Sequence, residues 1–443
     1  MLISNLKEVF DENIINHIAK ETGFVKRTSQ INASNFLDLI LSNCLKGELM
    51  SLESLARDLK VNAGISISKQ GLDERFNSGA VLFLKTILIR MMAQHYNACL
   101  NVEDGNSFVA CRVRDSTRFR LPDEYVTVYK GHGGATNTKS MISIQYEFDL
   151  MTGEPIDLEL TSGCRNDQED TKESVLNVKE GELLIRDLGY VTTTYLSKVA
   201  GRGAFFLNRL PTQINVYDMN NKLIDFKKIH RKLKRYNLEY QELDVLLGKK
   251  AQIPCRLVVS VCEMEASARR MKKTAKNTKS TGHKVSEETK IRSRLHLYIT
   301  NAPKDKIQAS NIYHIYSMRW QIELIFKAWK SIANIDKVKK MKIERFESIL
   351  LSGLIWLMAN WRIFQVVNKW TSENIDQHKA LSTWKFYSFM ADNQNKLWDI
   401  IKGKEQMKDW LEIVLELSGK NLFRETKNGD MSHLQKLNLL KVA

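Results

Sequence analysis

At 443 residues the chain is long enough for two or three domains with substantial cores. Its formal charge of +16, from 67 Lys and Arg against 51 Asp and Glu, suits a polyanionic partner, nucleic acid first, although a ribosomal or membrane-surface protein can carry the same excess. The cysteines Cys44, Cys99, Cys111, Cys164, Cys255 and Cys262 form no CxxC pair, which argues against a zinc site or a disulfide framework and for a reducing cytoplasm.

The chain opens MLISNLKEVFDENI, where early charges interrupt any signal-peptide core. Residues 1–104 read as helical, with apolar spacing such as Phe36, Leu37, Leu39, Ile40 and Leu41. Within them Ser51 to Leu59, a break at Gly64, and Ser68 to Phe76 outline a helix, a turn and a second capped helix. That outline is compatible with a helix-turn-helix, in which Ser66, Ser68, Lys69, Gln70 and Arg75 would meet DNA; plain helical packing is the alternative.

From residue 105 the pattern changes to strands. Ser107 to Arg114 alternates apolar and polar residues and ends in Asp115-Ser116-Thr117, an acid expected at a strand tip. After the glycine-rich turn Gly131 to Gly134 come strands Ser140 to Leu150 and Ile156 to Thr161, parted by Thr152-Gly153, which together suggest an antiparallel meander. Asn166 to Lys179 opens with Asp167 and Glu169, as a first helical turn should. Glu182 to Tyr190 is again a short apolar run ending in an acid, Asp187, with Gly189 allowing a tight exit into a helix near Thr192. A strand at Ala204 to Leu210 follows, and the order is that of a ribonuclease-H-like α/β fold with acids on its first and fourth strands. Singly, Asp115 and Asp187 could each be a turn residue or a helix cap.

Asp187 and Glu323 stand about twice as far apart as Asp115 and Asp187, and residues 211–294 supply the extra length. Strand-like segments are read at Gln213 to Tyr217, Leu223 to Phe226, Glu239 to Leu247 and Ile253 to Cys262, closing at Leu295 to Thr300. Two basic stretches run through them: Lys227 to Arg235, and Arg269 to Lys276 continuing to Lys279, Lys284, Lys290, Arg292 and Arg294. Such runs are usually solvated faces, but at this density in a basic protein they suit phosphate contact.

The stretch Tyr316 to Lys330, YSMRWQIELIFKAWK, reads as one helix. At about 100° per residue, Tyr316, Arg319, Glu323 and Lys330 share an arc of roughly 60°. Ile315, Ile322, Phe326 and Trp329 occupy a neighbouring face that would fasten the helix to a core. An ordinary surface ion pair explains Arg319 and Glu323 taken alone. The full spacing Tyr-x2-Arg-x3-Glu-x6-Lys, however, resembles the signature of the insertion-sequence-four family of DDE transposases, and Asp187-Leu-Gly-Tyr190 resembles that family's Asp-x-Gly-Tyr/Phe block.

The resemblance implies an α/β protein: a ribonuclease-H-like catalytic core (105–210 and 295–345) interrupted by a mostly β insertion (211–294), flanked by a helical DNA-binding region (1–104) and a helical C-terminal region (346–443). It implies a transposase in which Asp115, Asp187 and Glu323 are the catalytic acids, while Tyr316, Arg319 and Lys330 grip backbone phosphates. Three carboxylates without His or Cys suit two Mg²⁺ ions, with Mn²⁺ as a substitute, rather than zinc. Water and later a freed 3′ hydroxyl would be the nucleophiles, and Asp115 would bridge the ions. The expected partners are double-stranded DNA, as the element's terminal inverted repeats and the target, and a second copy of the chain; the expected location is the nucleoid-containing cytoplasm of a prokaryote. A nuclease without strand transfer and a non-catalytic DNA-binding derivative are the rival readings.

One departure from the family is plain. Its insertion commonly carries a Trp that stacks on a flipped base, whereas all eight Trp residues here lie at or after Trp320, leaving Tyr217, Tyr236, Tyr240 or Met264 as stand-ins. Farther on, Lys337, Lys339, Lys340 and Lys342 make another basic segment. The apolar run Ser348 to Trp361, bounded by Glu347 and Arg362, is too short for a bilayer and reads as part of a buried helix, Phe346 to Trp370, so no membrane partner is expected. Trp384, Phe386, Trp398 and Trp410 read as core anchors of the remaining helices.

Overall fold

The computed structural model describes residues 8–27, 30–45, 51–98, 107–133, 139–281, 285–374, 381–401, 405, 407–423, 431 and 433–440. Its N-terminal part is helical: α1 (Glu12–Glu21), α2 (Ala33–Asn43), α3 (Leu52–Ala63), α4 (Lys69–Asp73) and α5 (Ser78–Ala98). Asp11, Asn32, Ser51 and Ser68 each accept from backbone N–H groups of the following first turn, and so fix where α1 to α4 begin. Gly64 ends α3 with φ +70, a left-handed conformation that costs glycine little. The helix, turn and helix outline is therefore present, but α4 has five residues, little more than one turn. Of the residues expected to meet DNA, Ser66, Ser68, Lys69 and Gln70 are exposed and Arg75 is half-buried.

Among the described residues nine strands form one sheet. They are β1 (Cys111–Arg120), β2 (Met141–Asp149), β3 (Pro155–Ser162), β4 (Leu183–Arg186), β5 (Phe205–Arg209), β6 (Val216–Tyr217), β7 (Tyr240–Leu247), β8 (Ile253–Val261) and β9 (Leu295–Thr300), in the spatial order β3-β2-β1-β4-β5-β9-β8-β7-β6. Strands β1 to β3 are the expected antiparallel meander. Strands β4 and β5 lie parallel to β1, reached through α6 (Asp167–Ser174) and α7 (Thr193–Gly201), and all other pairs are antiparallel. The predicted turn glycine Gly133 has φ +67, whereas Gly134 lies outside the described residues.

Residues 211–294 differ from the mostly β expectation. They carry three helices, α8 (Phe226–Arg235), α9 (Met264–Thr281) and α10 (Glu287–Ser293), beside β6, β7 and β8, and those strands continue the main sheet. The first basic stretch hides a helical period: Phe226, Ile229 and Leu233 are buried at spacings of three and four while the cations between them face outward. Charge density in the sequence masks an amphipathic helix there.

The sheet separates two apolar cores. One joins Val113, Ile185 and Leu207 to the N-terminal helices and to the helices that follow β9; the other joins Leu184, Phe206, Leu257 and Ile299 to α7 and α8. After β9 come α11 (Ile312–Ser317), α12 (Trp320–Ser331) and α13 (Ile343–Asn374), then α14 (Thr383–Asp392), α15 (Gln394–Ile401), α16 (Met407–Lys420) and α17 (His433–Asn438). Within α13, Ile343–Asn368 is long and apolar enough to cross a membrane by length and composition, longer than the run expected from sequence; 83% of its most apolar window is buried against the protein. Phe386 and Trp410 are buried as expected, while the Trp384 ring is half out in solvent with the Lys327 ammonium 5.1 Å from its centre. The Trp398 side chain lies outside the described residues.

Candidate active site

Two acids come from the sheet. The parallel ladder of β1 with β4 ends at the pair Arg114 and Arg186, and the next residues along the chain are Asp115, still in β1, and Asp187, just past β4. Asp115 is not at a strand tip, as the sequence suggested. It lies in mid-strand, still paired with Tyr146 of β2, at the point where β1 loses its β4 neighbour. Asp187 follows the end of β4 and opens a 3-10 turn, Leu188–Tyr190. Gly189 in that turn has no positive φ; a Cβ there would stand 2.9 Å from the Asp167 carboxylate, which would have to shift to admit it.

The third acid comes from the helices after β9. The single helix expected over Tyr316 to Lys330 is two, α11 and α12, because Met318 and Arg319 donate to Ile315 and Tyr316 in tight i to i−3 bonds. The predicted fastening face holds, with Ile315, Ile322, Phe326 and Trp329 all buried. Arg319 sits at the junction, and its guanidinium is shared among all three acids: Nη1 lies 3.2 Å from Asp115 Oδ2, Nε 3.8 Å from Asp187 Oδ1, and Nη2 2.6 Å from Glu323 Oε1. Burial, with the charges of Asp187 and Glu323 adding to it, pushes the Asp115 carboxyl up to about 6, against the Ser116 N–H and Arg319, which pull it down. Burial works to lower the Arg319 pKa, yet Asp187 and the other acids carry it above its ordinary value.

The other two motif residues lie on either side. Tyr316 is buried with its ring 5.3 Å from that of Tyr298; burial and then the Asp187 charge raise its hydroxyl, which has no hydrogen-bond partner among the described residues. Lys330 is half-buried and donates to the Arg118 carbonyl at 2.9 Å; burial lowers its pKa, opposed by Asp336. The structure therefore brings Arg319 to all three acids and Tyr316 within the field of Asp187, and places Lys330 against the backbone of β1 instead.

Behind Asp115 and Asp187 lies a charged layer that sequence reading missed. Side chains alternate along a strand, so the residues flanking each acid point to the opposite face of the sheet. There Arg112 donates to Glu147 and Glu182, Arg114 to Asp170 and Asp157, and Arg186 to Glu147 and Ser174. Arg112, Arg114, Arg186, Glu147, Glu182 and Asp170 are all fully buried. Burial alone would raise the Glu147 carboxyl, but the three guanidinium groups hold it well below the usual carboxylate range. The available signal was an Arg immediately before each Asp, at positions that alternation sends into the protein. Arg209 was missed too; it ends β5, its charge acts on Tyr316, and among the described residues no carboxylate pairs with it.

Oxygen-only ligands from three carboxylates form a donor set suited to hard divalent cations. In the arrangement described, the carboxylates are turned onto Arg319, and among the described residues no group of three acids, histidines or cysteines is spaced to hold a metal ion.

The profile described as Transposase DDE domain matches residues 110–358, more than half of the chain. The transposase for insertion sequence element IS1151 from Clostridium perfringens is 29% identical, with 100% of this chain and 96% of that protein covered. The transposase for insertion sequence element IS231F from Bacillus thuringiensis subsp. israelensis is 28% identical, with 95% and 91% covered. Among solved structures, a piggyBac transposase synaptic complex with hairpin DNA superposes with a TM-score of 0.47 at 12% identity, over 97% of this chain and 86% of that one.

Proposed function

We propose, from the premise that this chain belongs to the transposases with a DDE domain and is a DNA transposase, that Asp115, Asp187 and Glu323 are its catalytic acids. The observation that carries the reading is the meeting of these three carboxylates, two from neighbouring strands and one from a helix, around a single guanidinium. Further support comes from the order of β1 to β5, three antiparallel strands followed by two parallel ones, which fits a ribonuclease-H-like core. Residues 211–294 are then an insertion into that core, and the Tyr316, Arg319, Glu323 and Lys330 spacing is the insertion-sequence-four signature.

DDE transposases act with divalent metal ions. In this chain Asp115, Asp187 and Glu323 would hold two Mg²⁺, or Mn²⁺ in their place. When bound, such ions supply activation of an oxygen nucleophile and charge stabilisation for the leaving oxygen. The remaining work falls to the protein. Arg319 offsets part of the acids' charge where it stands between them, and its guanidinium is the motif's bidentate donor for a backbone phosphate. Tyr316 offers a buried, unpartnered hydroxyl for a phosphate oxygen beside Asp187. Lys330 donates to the Arg118 carbonyl of β1 and supplies a point charge for a backbone phosphate passing beside that strand. Water first and a 3′ hydroxyl afterwards can use the same site, because only the attacking oxygen changes. The substrates are the terminal inverted repeats of the chain's own insertion sequence and a target duplex, the acting species is a homodimer on DNA, and the setting is the prokaryotic nucleoid.

The test is Mg²⁺-dependent nicking and joining of end DNA by the wild type and by Asp115→Asn, Asp187→Asn and Glu323→Gln. Each substitution should lower the cleavage rate about a thousandfold or more, on the order of 4 kcal/mol of barrier, with DNA binding kept. Nicking retained by any of the three would remove that residue from the assignment. Nicking without joining would favour a plain nuclease.

A further inference from the structure

Helix α8 presents six cations, Lys227, Lys228, Arg231, Lys232, Lys234 and Arg235, all exposed, along ten residues. Its apolar side is used up: Phe226, Ile229 and Leu233 are buried in the core beneath it, and Asp225 caps its first turn through the N–H groups of Lys227 and Lys228. Among the described residues none of the six cations forms an ion pair. Arg235 leans over the Tyr236 ring at 5.6 Å. Lys227 and Arg231, Lys228 and Lys232, and Arg231 and Arg235 are like charges four apart, and each such pair works against the helix. Exposed Arg294 of the neighbouring segment adds to the field, and His230 beneath it has its pKa lowered by burial, then by Lys234 and Arg294. The face is unfavourable for the isolated protein and complete only against a polyanion.

The second basic stretch is mixed: Arg269, Lys272 and Arg294 are exposed like the cations of α8, whereas others in it are held by the fold. Arg292 is buried, donates to the carbonyls of Pro211, Thr212 and Ile214 and covers the Phe226 ring; Lys290 pairs with Glu287; Arg270 donates to the Leu295 carbonyl. These cations brace the fold. Lys284 lies outside the described residues, and nothing is described of the Lys276 and Lys279 side chains.

The direction of α8 suggests what covers it. The helix follows β6, which pairs with the end of β7, and delivers the chain to Tyr240 at the start of β7. Through the registers Tyr240 to Ser260, Val261 to Leu295 and Tyr298 to Arg209, that start lies at the same end of the sheet as Arg209 and, one strand over, Asp187. The helix therefore runs toward the acid end and spans about 15 Å, enough for roughly four phosphates of one strand at 3.4 Å each. A membrane surface is the poorer match, because an interfacial helix needs a free apolar face to insert.

We propose that the outer face of α8 is a sequence-independent clamp on the phosphate backbone of duplex DNA extending from the acid cluster. This rests on the reading of the chain as a DNA transposase, and it adds a contact outside the Tyr-Arg-Glu-Lys motif. The probe is a 40-base-pair duplex of mixed sequence, titrated with the full-length chain over a range of salt concentrations. The triple variant Lys228→Gln, Arg231→Gln, Lys232→Gln is compared with Lys198→Gln, Lys249→Gln, Lys250→Gln, which removes as much charge from exposed lysines elsewhere. The α8 variant should flatten the slope of log K against log salt by about 2–3, near 0.9 for each lost phosphate contact, while the control keeps the wild-type slope. Equal slopes in all three proteins, or an equal loss in both variants, would overturn the clamp, as would loss of binding to phosphatidylserine vesicles with DNA binding intact. Melting curves establish that the variants are folded. Wild-type nicking with Mg²⁺ is scored separately, so a slope change without nicking sinks the catalytic reading and leaves the clamp standing.

Discussion

Two parts of this protein concentrate charge and treat it in opposite ways. Behind the acids, Arg112, Arg114 and Arg186 are enclosed with Glu147, Glu182 and Asp170, and every one of them has an ionic or hydrogen-bonded partner. On α8, six cations stand in water and none forms an ion pair among the described residues, although Glu287 lies within the field of Lys227. A buried pair is seldom more stabilising than apolar packing of the same shape, so the closed network is better understood as fixing how β1 sits against β2 and β4. An open field of like charge does nothing for the fold and is finished by something outside it. The three carboxylates stand between these extremes, partly balanced by one arginine and partly open to solvent.

The contrast can be broken most forcefully at Glu147. Glu147→Gln leaves buried guanidinium groups short of their shared counterion, and stability should fall by about 3–5 kcal/mol in urea denaturation. A loss under about 1 kcal/mol would mean that Glu182 and Asp170 satisfy the arginines without it.

Asp115 should respond in the opposite sense. Its carboxyl is raised from 3.8 to about 6 in the folded protein, so between those values the folded state holds the proton more tightly than the unfolded chain does. Stability contributed by this group therefore falls as pH rises through that window, and the penalty is complete above it. In metal-free buffer at pH 7, Asp115→Asn should be more stable than wild type by about 1–3 kcal/mol, with the gain gone below about pH 4. A gain that persists at pH 3.5 would have some origin other than ionisation.

The smallest effect belongs to α8. Lys228→Gln should leave stability within about 0.5 kcal/mol of wild type, because its charge touches no partner in the fold. A clear loss would assign these cations to structure and erase the contrast.

How much could be read from the sequence follows the same division. Elements that announce themselves by period or by cap were legible: the helices begun by Ser51 and Ser68, the meander of β1 to β3, and the apolar face of α12. The Tyr-Arg-Glu-Lys spacing pointed to Glu323, and two strand-associated acids were found to go with it. What stayed hidden depended on pairing across the sheet. Nothing local tells that Asp115 is still paired with Tyr146, and although alternation sends Arg114 and Arg186 inward, it does not say that Asp170 and Glu147 wait for them there. The break between α11 and α12 was missed because Met318 and Arg319 are good helix formers, and only tight i to i−3 bonds distinguish the junction. In residues 211–294, lysines outnumbered the three apolar residues that make α8 a helix.

The placing of Asp115 inside a strand has a mechanical corollary. Asp115 is stitched to β2 by its own ladder and Asp187 follows a strand bonded on both flanks, so neither can drift without tearing sheet hydrogen bonds. Glu323 rides on a helix held by the packing of Ile322, Ile325, Phe326 and Trp329, which can slide by small steps at much lower cost. The sheet is the fixed jaw of a vice and α12 the moving one, and any tightening of the three oxygens will register as travel of that helix over stationary strands.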